Sequence, residues 1–64
     1  MKRVIKILEA AYEQASYNIE IEEAYLSRDD ADKKLIPLIR KYIKEQEDVM
    51  VELMEAIEIL RLEG

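Results

Sequence analysis

The chain has no cysteine, histidine, threonine, tryptophan or phenylalanine, and only one glycine and one proline among its 64 residues. Each absence removes a class of protein. Without Cys there is no disulfide framework, and without Cys or His the usual structural zinc sites cannot be built. The nucleophile-and-base arrangements of hydrolases are unavailable, because Ser16 and Ser27 are the only small hydroxyls and there is no imidazole to activate them. Gly64 alone cannot form a phosphate-cradling loop. No apolar run approaches the ~20 residues that span a bilayer. The basic start Met1-Lys2-Arg3 leads into a stretch interrupted by Lys6 and Glu9, not into the apolar middle of a signal peptide. A cytoplasmic location without a membrane partner is therefore expected.

What is present is helical-bundle material. Half of the residues are hydrophobic and 39% are charged, with Ala, Leu, Ile, Glu and Lys abundant. A chain of this size forms one domain, whose core supplies only about 3 to 5 kcal/mol. With disulfides and zinc excluded, self-association is the remaining source of stability. The net charge of -5 and pI near 4.7 repel phosphate backbones, so direct nucleic-acid binding is not expected.

Hydrophobic periodicity divides the chain into two helices. From about residue 2 to 26, Ile5, Leu8, Tyr12, Ala15, Ile19 and Leu26 share one face at 100° per residue. A second strip, Ile7, Ala10, Tyr17, Ile21 and Tyr25, leaves only an arc of about 100° fully polar, wider apolar cover than one partner helix can bury. The second half, about 30 to 62, runs Leu35, Ile36, Leu38, Ile39, Tyr42, Ile43, Val49, Met50, Leu53, Met54, Ala56, Ile57 and Leu60 on one arc. These patterns predict an all-α antiparallel two-helix hairpin that pairs as a homodimeric four-helix bundle. Gln46 sits in the second helix's apolar arc and Glu22 between the first helix's strips, positions where a polar residue fixes register or oligomer state.

The connection can be read in two ways. With a turn at about 27 to 30, Asp29 caps a second helix that starts near residue 30 and is kinked at Pro37. Alternatively Pro37 is the first residue of that helix and the preceding segment is a loop or a short helical turn. Charge favours the early turn. Residues 2 to 6 carry +3, 9 to 23 carry -5, 28 to 44 carry +3, and 45 to 60 carry -6. A turn near residue 28 sets each acidic block beside a basic one, whereas a turn near 34 sets the acidic blocks side by side, costing on the order of 1 kcal/mol per close pair.

The remaining reactive groups are carboxylates, Lys, Arg and Tyr. Glu20 and Glu23 are three apart on the first helix, and Glu45 and Asp48 three apart on the second, so each pair shares a helix face. In these pairs, and in the run Glu45-Gln-Glu-Asp48-Val-Met-Val-Glu-Leu53, the chain resembles all-α nucleotide pyrophosphohydrolases of the MazG type. That resemblance implies a Mg²⁺ site on the four acids and a nucleoside triphosphate substrate. In size and layout the chain also resembles small dimeric hairpin regulators of the Rop type. The bottom-up reading is a non-enzymatic interaction or regulatory protein without cofactor, acting as a homodimer on a basic protein partner. Its interaction surface would comprise the acidic Asp48, Glu52 and Glu55 with the seam residues Tyr17, Ile21 and Tyr25. Two further readings stand beside it: an acidic mimic of nucleic acid that uses the surface of residues 45 to 60 to occupy a basic groove, and a designed or purely structural bundle.

Overall fold

A computed structural model describes residues 2 to 63. It contains two helices, α1 (Lys2–Leu26) and α2 (Ile36–Glu63), packed antiparallel as an elongated hairpin of 48 × 14 × 11 Å. Among the described residues there is no strand, and no helix is long and apolar enough to cross a membrane. The helices meet along one seam. In α2 it follows Ile36, Ile39, Ile43, Gln46, Met50, Leu53, Ile57 and Leu60, alternately three and four residues apart, and all of these are buried or half-buried. In α1 the matching line is Ile5, Leu8, Tyr12, Ala15, Ile19, Glu22 and Leu26. This alternation is the heptad pattern of a coiled coil, which keeps one narrow stripe facing a single partner helix. Among the described residues only Ala15 and Ile57, 4% and 3% exposed, are buried.

The connection is longer than the turn at 27 to 30 that capping residues suggest, and α2 begins at Ile36 instead of near residue 30. Pro37 is the reason. It has no N–H to give the carbonyl four residues back, so regular helical bonding cannot run through the Lys33–Pro37 step. The first such bond at this end joins the Ile39 N–H to the Leu35 carbonyl, 2.9 Å. Asp32, not Asp29, holds the turn that leads into the helix: its Oδ1 accepts from the Lys34 N–H at 2.9 Å, and its carbonyl accepts from the Leu35 N–H at 3.0 Å.

No described residue has a positive φ, so the tight glycine-type helix ending is not used. Side chains close the turn instead. Ser27 Oγ donates to the Ala24 carbonyl, and the Tyr25 hydroxyl accepts from the Asp32 N–H at 3.0 Å, tying the end of α1 to the start of α2. Arg28 forks onto Asp30 through two bonds of 2.8 and 2.9 Å and lies 5.9 Å from the Tyr25 ring centre.

Candidate functional site

The register is marked by an ion pair from Arg61 to Glu9, 2.8 Å, whose midpoint in sequence is residue 35. This is the late-turn register that the charge blocks disfavour. Full burial of a large seam side chain contributes about 1.5 to 3 kcal/mol, whereas exposed charge pairs contribute about 1 kcal/mol or less. Continuous heptads and the barrier at Pro37 therefore outweigh repulsion at the surface.

The consequence is a groove of about 610 Å³ along one flank of the hairpin. Its floor is Tyr12, Ser16 and Ile19 from α1 with Met50, Val51 and Met54 from α2. Its rim is acidic on both sides, Glu20 and Glu23 from α1 and Glu47, Glu55 and Glu58 from α2, and among the described residues no basic side chain lines it. Heptad geometry explains the selection. Ser16 and Glu23 on α1, like Glu47 and Met54 on α2, flank the seam on the same side, where an antiparallel coiled coil sets corresponding positions opposite each other. Arg61 closes one end, where it and Glu9 line a smaller adjoining hollow with Tyr12 and Met54.

The opposite flank is different in kind. On α1 it carries a second heptad-spaced line, Val4, Ile7, Ala11, Gln14, Asn18, Ile21 and Tyr25. Val4, Ile7 and Ile21 are exposed, and at the centre Gln14 Nε2 donates to Asn18 Oδ1 at 3.0 Å. The same flank of α2 adds exposed Leu35, Leu38, Tyr42, Val49 and Ile59.

The residues singled out in the sequence are thus split between surfaces. Glu55 lines the groove; Asp48 and Glu52 are exposed on α2 and do not. Ile21 and half-buried Tyr25 belong to the apolar flank, with exposed Tyr17 beside them on α1. Of the two acid pairs, Glu20 and Glu23 line the groove, but Glu45 and Asp48 do not join them. Among the described residues no three carboxylates gather closely enough to hold a metal ion. Glu22 and Gln46 lie at about the same level, counted from the Arg61–Glu9 pair, and both are half-buried. Among the described residues every buried side-chain polar atom has a partner, so both reach water.

The acidic run from Glu45 to Glu58 contains Glu47 and Glu58, but sequence reasoning did not separate them from the outward acids, and it missed the groove role of Val51. The heptad positions carried the signal, since the acids that flank the seam on one side can be separated from those that point outward. Compared with protein-family models, with characterised proteins and with solved structures, the chain matches none.

Proposed function

We propose that the protein is a non-enzymatic, regulatory interaction protein that works as a homodimer, two hairpins pairing into a four-helix bundle through the apolar flank. The observation that carries this reading is the second line on α1. Read in either direction it has the same order: two large apolar residues, polar or small residues in the middle, two large apolar residues. A twofold interface requires such a self-complementary surface. Antiparallel pairing of α1 with its copy sets Val4 against Tyr25, Ile7 against Ile21, and Gln14 beside Gln14 at the axis. The central amides keep donors and acceptors free for bonds across that axis.

Area supports the same reading. A compact monomer of 7.6 kDa exposes roughly 4,300 Å². This hairpin exposes 5307 Å², about 1,000 Å² more, and a standard interface covers about 800 Å² on each partner.

Sedimentation equilibrium at micromolar concentration tests the proposal. The expected species is a dimer, and Ile21→Glu should convert it to monomer. Ile21 is 47% exposed in the single hairpin, so the new carboxylate costs the hairpin little and the interface several kcal/mol. A parent chain that stays folded and monomeric at every concentration would end the reading.

A further inference from the structure

The groove lies on the flank that the dimer leaves open, and the late-turn register has gathered carboxylates around it with no basic side chain among its described lining residues. Arg61 is paired with Glu9 and Arg28 with Asp30. We propose that this groove is a docking site for a cationic amphipathic helix of a partner protein. The proposal rests on reading the chain as an interaction protein, but not on the dimer.

Shape comes first. The groove runs between two helices from residue 12 to 23 on α1 and from 47 to 58 on α2, about 16 Å at 1.5 Å per residue. Two parallel walls of that length fit the apolar stripe of a helix of three turns. The floor suits such an occupant, because Val51 is 58% exposed and the flexible thioethers of Met50 and Met54 adapt to varied side chains.

Charge selects among occupants. An apolar helix flanked by Lys and Arg neutralises both rims at once, Glu20 and Glu23 on one side and Glu47, Glu55 and Glu58 on the other. A second copy seated groove to groove would double the carboxylates in the same space. Single-stranded or double-stranded nucleic acid is repelled outright. The half-buried Tyr12 and Ile19 add apolar surface that a merely electrostatic partner would not use.

The test uses the full chain and three synthetic peptides. One is an amphipathic helix with Leu at helical spacing and Lys on its flanks; the second has the same composition in scrambled order; the third replaces Lys with Glu. Fluorescence anisotropy should show that the first binds, that the scrambled one binds at least about tenfold more weakly, and that the Glu peptide does not bind. Raising the salt should weaken the first complex. Val51→Lys should abolish binding with helicity retained, whereas Ile21→Glu should leave it intact.

Equal binding of the scrambled peptide would reduce the groove to a diffuse acidic field and overturn the proposal. So would undiminished binding by Val51→Lys. If Val51→Lys yields a monomer, or the Leu/Lys peptide dissociates the dimer, the groove is the contact between copies and the assignment fails. Loss of the dimer with Ile21→Glu while the peptide still binds separates the two interfaces.

Discussion

At the scale of single residues, two pairs of like side chains take opposite roles, and the contrast can be measured. Asp32 accepts the Lys34 N–H and holds the turn before α2, while the carboxylate of Asp29 makes no side-chain bond among the described residues. Asp32→Ala should therefore lower the unfolding free energy by about 1 kcal/mol in chemical denaturation, and Asp29→Ala should leave it nearly unchanged. Equal effects would show that the turn is not held by the Asp32–Lys34 bond. The isoleucines of the last turns of α2 differ in the same way. Ile57 is 3% exposed and Ile59 is 56% exposed. Ile57→Ala should cost about 2 to 4 kcal/mol, enough to unfold a domain of this size at ambient temperature by circular dichroism. Ile59→Ala should spare the hairpin and appear instead as weaker self-association.

At the scale of elements, both helices and their order were legible in the sequence because amphipathic periodicity is local. The start of α2 was only half legible. Pro37 allowed two readings, a kink or a first turn, and the deciding bonds, Tyr25 to Asp32 and Asp32 to Lys34, depend on a turn geometry that composition does not encode. Register misled for a physical reason. Charge blocks are conspicuous in a sequence but weak when exposed, whereas the heptad line through Gln46 and Glu22 is quiet and decides the packing. The groove was invisible for the same reason, since it exists only once Glu23 and Glu47 stand on one flank. The polar level made by Glu22 and Gln46 interrupts an otherwise apolar seam, and its expected role is to hold this alignment. Replacing both by Leu should raise the melting temperature while splitting one assembly state into several by native mass spectrometry. A lower melting temperature with a single unchanged state would show that the polar level is a stabilising contact in its own right.

At the scale of the molecule, the hairpin is a coiled coil whose two flanks differ in chemistry, one largely apolar, the other an apolar trough between acidic rims. The acidic flank gathers carboxylates from both helices. Glu20 and Glu23 line the groove from α1 and Glu47, Glu55 and Glu58 from α2, with no basic side chain among the described lining residues, so their charges add to one negative potential. Mobile ions screen such repulsion beyond about 10 Å at 0.1 M. The parent chain should therefore become more stable as sodium chloride rises from dilute buffer, the reverse of a protein held by attractive surface ion pairs. Glu47→Lys places one cation between the rims. It should raise stability in dilute buffer by a few tenths of a kcal/mol, up to about 1, and flatten the salt response. The same change should weaken capture of the Leu/Lys peptide, because it removes attraction where the partner's cations would lie. Thermal unfolding across a chloride series, run beside peptide anisotropy, checks both signs together. Parent stability that falls with salt, or a Glu47→Lys variant that gains neither stability nor a weaker peptide complex, would mean that the rims do not act on each other. The groove would then be apolar surface with solvated acids around it.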